Sequence, residues 1–371
     1  MKIDFTKKVL GVVLVSTFLL TGCNAFKGEQ TLEPLDPPPE DAVITDELTE
    51  IQEELENTEG DESAEEEEIS EEEVPSSTTV SRVLYLLDEN GLVVPHEVDL
   101  PQPSSKEVAK QVLEYLVKDG PVSNMLPTGF EAVLPAGTEV LQLNLEADGT
   151  LIIDLSEEFG TYQAGEEQKI LEAMTYTLTQ FENVERIKLW INGESLEEMP
   201  VNGTPIKQGY SRANGINVQN AEAVDLMESK ATTLYFPMQG EDENIYFVPI
   251  TQHVEYDATN EYASIIDVLL DGPSFDLPLE NYINTGSKLA EAPIVNDGVL
   301  SLQFTETILE NSEKSLLADE VMQSLVLTLT ENEKIEAIEV SIENHEQVVN
   351  EAGQPYTAPV TKEMVTPTDS I

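Results

Sequence analysis

The chain has 371 residues, with 73 Asp and Glu against 18 Lys and Arg and a formal net charge of −55. So acidic a surface excludes nucleic acid and anionic lipid head groups as general partners. One cysteine, Cys23, and three histidines, His96, His253 and His345, exclude an internal disulfide framework, a zinc finger and cysteine catalysis in the folded part.

Lys2, Lys7 and Lys8 precede an apolar run from Val9 to Leu20. Twelve residues are too few to span a hydrocarbon core about 30 Å thick, so the run predicts an export signal rather than a permanent membrane helix. It ends in Leu20-Thr21-Gly22-Cys23, which resembles the bacterial lipobox. That resemblance makes residues 1–22 a lipoprotein signal peptide and implies a diacylglyceryl group on Cys23, which becomes the mature N-terminus. Two acyl chains, at about 0.8 kcal/mol per buried CH₂, give a stable anchor on the extracytoplasmic face of the cell membrane.

Residues 23–80 follow as a linker. Between 28 and 75 there are 21 Asp or Glu and no Lys or Arg, with Pro37-Pro38-Pro39 near the start. Low hydrophobicity and like-charge repulsion predict a disordered tether, with a mean reach of about 40 Å before repulsion extends it. Leu48, Ile51 and Leu55 would share one face if Thr45 to Glu56 became helical, which marks a possible acidic partner-binding motif.

Beyond the tether the same pattern is written twice. Val83-Leu84-Tyr85-Leu86 recurs as Thr233-Leu234-Tyr235-Phe236, and Leu116 to Pro121 recurs as Val268 to Pro273. Asp148-Gly149 recurs at Asp297-Gly298, and Ile187 to Ile191 recurs at Ile338 to Ile342. A constant offset of about 150 residues predicts tandem homologous domains. They are placed at 81–207 and 230–350, with an interdomain linker at 208–229 and a flexible C-terminal tail at 351–371.

Each copy opens with two extended segments, Arg82 to Leu87 and Leu92 to Leu100, then Thr232 to Pro237 and Ile245 to Tyr256. A helix follows. In copy one Ser104 and Glu107 have capping-box spacing, and Val108, Val112 and Leu116 share a face. Gly120 and Gly272 are expected as left-handed helix caps, with Pro121 and Pro273 preventing continuation. Leu141, Leu143 and Leu145, then Leu151, Ile153 and Leu155, alternate with polar residues around Asp148-Gly149, which predicts a hairpin with one buried face. Ile170, Leu171, Met174, Leu178 and Phe181, and in copy two Leu317, Val321, Leu325 and Leu329, mark a longer helix lying across the sheet. Met174 and Met322 are read as core packers. The last strand turns Ile187, Leu189 and Ile191, or Ile338, Val340 and Ile342, inward. Each copy is thus a β-β-α-β-β-α-β unit with both helices on one face of a mixed sheet, an α+β two-layer sandwich. Trp190 points away from the helices and is a candidate partner contact.

These strings resemble the GerMN domain, a module of sporulation and germination lipoproteins. In copy one the resemblance rests on Leu116 to Pro121, Leu134-Pro135-Ala136-Gly137-Thr138, Asp154 to Phe159, Thr177 to Phe181, and Asn192-Gly193. Copy two departs from it, with Thr285-Gly286-Ser287-Lys288-Leu289 in place of Leu-Pro-Ala-Gly-Thr and no Gln-Phe after Thr328-Leu329-Thr330. The resemblance implies a fold similar to the ring-building motifs of secretion systems. It also implies an assembly role in the channel complex joining mother cell to forespore, with SpoIIQ and SpoIIIA-type channel proteins as partners. It supplies no catalytic residue, metal site or cofactor.

The residues agree with a noncatalytic reading. None of the histidines has metal-ligand spacing: His96 and His253 take similar places in the two copies, as duplication would leave them, and His345 lies near Glu343 and Glu346. Two rivals remain. A peptidoglycan hydrolase would need only a carboxylate pair, for which Asp154, Glu157 and Glu158 are candidates. A cell-wall binding module would need an aromatic platform, and aromatics are only 6% of the chain. Residues 76–350 still carry 48 acids against 13 bases, which favours a hetero-complex over a homo-ring.

Overall fold

The computed structural model describes residues 79–103, 108–219, 228–240, 244–255, 260–274 and 277–366. The signal peptide, Cys23, the acidic tether with its Leu48, Ile51 and Leu55 strip, and the Ser104 and Glu107 box lie outside them.

Module one opens with a long antiparallel hairpin, β1 (Thr79–Leu87) and β2 (Val93–Pro101). Then come α1 (Val108–Glu114), β3 (Val140–Leu145), β4 (Thr150–Leu155), α2 (Glu167–Leu178) and β5 (Arg186–Ile191), with the short strands β6 (Glu194–Ser195) and β7 (Tyr210–Ser211). Module two repeats the order with β8 (Ser229–Gln239), β9 (Ile245–Glu255), α3 (Glu261–Asp271), β10 (Ile294–Asn296), β11 (Val299–Phe304), α4 (Asp319–Leu329), β12 (Ala337–Ile342) and β13 (Val360–Thr361), and ends in a helical turn, α5 (Lys362–Val365).

In both modules the second helix is the crossover between two parallel strands, β4 to β5 and β11 to β12, while the preceding edge strand is antiparallel. The apolar alternation decides which side the helix takes. Leu151, Ile153 and Leu155 with Ile187 and Leu189 are buried against Ile170, Leu171, Met174 and Leu178. Leu300, Leu302 and Phe304 with Ile338 meet Val321, Met322, Leu325 and Leu329 in the same way. The two methionines are core residues. Asp148-Gly149 and Asp297-Gly298 turn the hairpins, with Gly149, Asp297 and Gly298 at positive φ.

The strands divide into two sheets per module rather than one: the opening hairpin is separate from the mixed sheet. The reason is a side chain. The N–H of Tyr85 donates to Thr177 Oγ1 on α2 at 3.0 Å, and the N–H of Tyr235 donates to Thr328 Oγ1 on α4 at 3.0 Å. A helical threonine thus takes the backbone bond that a neighbouring strand would otherwise accept. Two local expectations also change, and one holds. Gly120 has negative φ, and the left-handed residue is Asp119; Gly120 is glycine because a Cβ would stand 2.8 Å from the Val117 carbonyl oxygen. Gly272 does cap α3 at positive φ. Leu141 and Leu145 are exposed, because β3 is an edge strand with a bulge between Val140 and Gln142.

The segments expected as linker and tail are the closing strand of the fold. β7 pairs with β5 through Ile187↔Tyr210, and β13 pairs with β12 through Ile338↔Val360, again about 150 residues apart. Tyr210 and Val360 are both buried, so each module extends beyond its expected end.

Candidate functional site

A cluster of polar side chains joins the two modules. After β7 the chain runs alongside β9: Ile216 N donates to Thr251 Oγ1, Thr251 N to Ile216 O, and Gln219 N to Thr251 O, each at 2.9 Å. Asn217, buried and left-handed, sits at the centre. Its Oδ1 accepts from Val93 N at 2.9 Å and Lys169 Nζ at 3.0 Å, and its Nδ2 donates to Val93 O at 2.7 Å and Pro249 O at 2.9 Å. Its own N–H donates to Glu172 Oε2 at 3.2 Å. One amide side chain thereby ties β2, β9 and α2. An asparagine suits this position because it tolerates positive φ and offers both donor and acceptor. Burial holds the Glu172 carboxyl above the usual range, opposed by the nearby Lys169 ammonium.

Arg212, directly after β7, forms the second tie. Its Nε donates to Thr179 Oγ1 at 2.8 Å, its Nη1 reaches Glu331 Oε1, and the guanidinium lies 4.5 Å from the Tyr176 ring centroid. Glu331, just past α4, also accepts from Tyr235 OH at 3.1 Å and faces Lys362 Nζ at 3.8 Å. Tyr85 packs 5.4 Å from Tyr176 in the same cluster, and burial pushes its phenol up to about 12. The apolar part of the seam interlocks as well: Leu92 and Val94 of module one belong to the core of module two. Phe130 lies 5.0 Å from His96 and 5.2 Å from Tyr246, whose OH donates to Asp88 Oδ2 at 2.9 Å.

Trp190 lies where its alternation placed it, half-buried on the sheet face opposite Ile187 and Leu189, paired with Asp154 and Ser195. Asp154 Oδ1 accepts from Gly193 N at 2.9 Å and so holds the turn into β6. Glu157 and Glu158 are exposed. Hydrogen bonding from Ser156 holds the Glu158 carboxyl below the usual range, the reverse of what a general acid in glycoside hydrolysis requires.

The histidines are not a duplicated pair. The registers Tyr85↔Pro95 and Tyr235↔Pro249 make His96 equivalent to Ile250 and His253 equivalent to Asp99. His96 is stacked on Phe130, and burial lowers its pKa against the pull of Glu97. His253 Nδ1 meets Ser229 Oγ at 3.1 Å. His345 lies between Ser315 Oγ, 2.7 Å from Nδ1, and Glu306 Oε1, 3.5 Å from Nε2. Glu306 is an exposed carboxylate at salt-bridge rather than hydrogen-bond range, too loosely held to orient the ring as a catalytic triad requires. Val349 N donates to Ser315 O at 3.0 Å, so the contact serves to pin the loop before α4.

A surface depression of about 360 Å³ is lined by Glu114, Lys118, Asp119 and Thr138, but its cation is already paired, with Lys118 Nζ 2.7 Å from Glu166 Oε1. Among the described residues no three His, Cys, Asp or Glu gather as a metal ion would need. No described helix is long and apolar enough to cross a membrane. Arg212, Asn217 and Glu331 were not singled out by the sequence patterns. The signal that could have found the first was the repeat offset itself, since Arg212 and Lys362 follow equivalent closing strands.

The chain matches the Germane family, described as sporulation and spore germination, over residues 83–197 and 233–348. The spore germination protein GerM of Bacillus subtilis (strain 168) is 38% identical over 351 residues, which is 94% of each chain. The solved tandem GerMN domains of the sporulation protein GerM from Bacillus subtilis align with a TM-score of 0.70 and 41% identity, covering 77% of this chain and 97% of that one. Repeat, fold and sequence therefore agree that the chain belongs to the Germane family of sporulation and spore-germination proteins, with two GerMN domains in tandem.

Proposed function

We propose that this protein is a membrane-anchored, extracytoplasmic assembly lipoprotein. Lipid on Cys23 holds it to the mother-cell membrane facing the forespore, and the acidic tether presents the module pair to the channel complex, with SpoIIQ and SpoIIIA-type proteins as partners. The observation that supports this best is the use made of charge withdrawn from solvent: the partly buried Arg212 and Glu331 and the buried Glu172 join the two modules instead of converging on a cleft. A joined pair on a lipid anchor suits weak contacts strengthened by a high effective concentration between apposed membranes. Crosslinking and pull-down from sporulating cells, comparing the wild type with Cys23→Ala, tests the proposal. Wild type should be membrane-bound and crosslink to the channel proteins, and Cys23→Ala should lose both. Membrane fractionation of an unlipidated Cys23→Ala protein would sink the anchor. Release of sugar fragments from spore cortex by the purified protein, abolished by Glu157→Gln, would replace the scaffold with the hydrolase.

A further inference from the structure

The two modules differ at the strand that borders open solvent. In module two that edge is broken: β10 has three residues, Pro293 stands immediately before it, and the edge continues along β11 through Leu289↔Phe304, so that Lys288 and Glu291 lie within it. Proline and charge are the ordinary guards of a sheet edge. In module one the edge strand β3 reads Val140-Leu141-Gln142-Leu143-Asn144-Leu145, six residues with no proline and no charge in a chain where 25% of residues are charged. Leu141 and Leu145 are each 45% exposed, and Gln142 and Asn144 are exposed beside them.

The backbone of this edge is available too. Among the described residues β3 pairs with β4 alone. Glu146 N donates to Thr150 O at 2.9 Å, so the alternation of an antiparallel pair turns the amides of Asn144 and Gln142 toward β4. The N–H and C=O of Leu143 and Leu145 therefore face away from the sheet. Glu139 precedes the strand, and Glu146 and Asp148 follow it, all exposed.

We infer that β3 is an acceptor edge that takes one extended segment of a partner protein as an added strand, and that this segment has apolar residues between Lys or Arg ends. Strand addition gives affinity through the main chain and specificity through alternate side chains. The flanking carboxylates choose the sign of the guest's ends. A second copy of this chain is a poor guest, because antiparallel self-pairing brings Glu139 of one strand toward Glu146 and Asp148 of the other, on a folded region with 48 acids against 13 bases. The bulge shortens the regular edge to Gln142–Leu145, which suits a weak, reversible contact. The inference deepens the assembly role by naming one surface and the chemistry of its guest.

The test uses the full chain and two synthetic decapeptides of alternating Val and Thr, one with Lys at both ends and one with Glu. Amide exchange read residue by residue should slow at least tenfold at Leu143 and Leu145 with the Lys-ended peptide, and stay unchanged with the Glu-ended one. Leu143→Pro removes an outward donor without touching a β3–β4 bond and should abolish the protection, with thermal unfolding as the fold control. Leu145→Lys is a second variant that keeps the backbone and should weaken binding at least tenfold. Three results overturn the inference: no protection at millimolar Lys-ended peptide, equal protection by both peptides, or binding that survives both variants. A dimer abolished by Leu143→Pro would assign the edge to a second copy and overturn it as well. In cells, Leu143→Pro retaining every crosslink that Cys23→Ala loses would refute the edge and leave the assembly role standing.

Discussion

The two modules share a skeleton and differ at their borders. Both dock an opening hairpin on the second helix through the same 3.0 Å hydrogen bond, Tyr85 N to Thr177 and Tyr235 N to Thr328. Both close with a two-residue strand on the last long strand. After that strand they diverge: in module one Arg212 reaches across to Glu331, whereas Lys362 stays with Glu331 of its own module. Duplication preserved the positions that hold one module together, and the positions that face something else became specialised. For module one that something is module two on one side and open solvent at β3 on the other.

The largest effect should follow from removing the residue that has no counterpart in the shared skeleton. Asn217→Ala leaves the Val93 N–H and C=O and the Pro249 C=O without their partner in a buried seam, and places alanine at positive φ. At about 1–3 kcal/mol per unsatisfied group, a loss of about 4 kcal/mol is expected in urea unfolding. Hydrogen exchange should rise first along β2 and β9. An effect confined to one module's core would mean that Asn217 does not join the two.

Arg212→Ala should cost about 2 kcal/mol, since it removes the nearest cation from the partly buried Glu331 carboxylate and leaves it the Tyr235 hydroxyl and the more distant Lys362. Lys362→Ala, its equivalent, should cost about 0.5 kcal/mol, because that pair is half-exposed and the cation lies 3.8 Å away. Equal losses in chemical denaturation would erase the distinction drawn here between the two closing segments.

Thr177→Val and Thr328→Val probe the skeleton rather than the seam. Each removes the acceptor of a buried strand N–H, so each should lose about 1–2 kcal/mol, and the two losses should agree within about 0.5 kcal/mol. A large inequality would show that the modules use the same bond for different purposes.

The smallest effect is a pH slope. The folded-state pKa of Glu172 is raised by burial above its unfolded value near 4.5. The native state therefore binds its proton more readily, and this contribution to stability grows as pH falls through the folded pKa toward 4.5. Comparing urea midpoints from pH 7 to 4.5, the wild type should gain on Glu172→Gln as pH is lowered. A difference that is flat in pH would mean the carboxyl is solvated.

Much of the fold was legible in the sequence because it rests on local periodicity. The 150-residue offset, the Asp-Gly hairpins, the apolar stripes of Ile170 to Leu178 and Val321 to Leu329, and the outward position of Trp190 each follow from residues close together in the chain. What failed did so where a distant partner decides. Leu141, Leu143 and Leu145 have the alternation of a half-buried strand, but nothing in that pattern says the strand has a neighbour on only one side. His96 and His253 looked equivalent by position, and only the hairpin register showed that they are not. Lipidation at Cys23 rests on sequence and falls outside the described residues.

By itself the sequence determined the repeat and the class of the longer elements, since these are matters of composition and short-range order. Tertiary structure alone decided that residues 208–219 fasten the modules together, because hydrogen bonds from Asn217 to Val93 and Pro249 span more than 120 residues on one side and about 30 on the other. No local pattern encodes a bond whose partners lie so far apart in the chain.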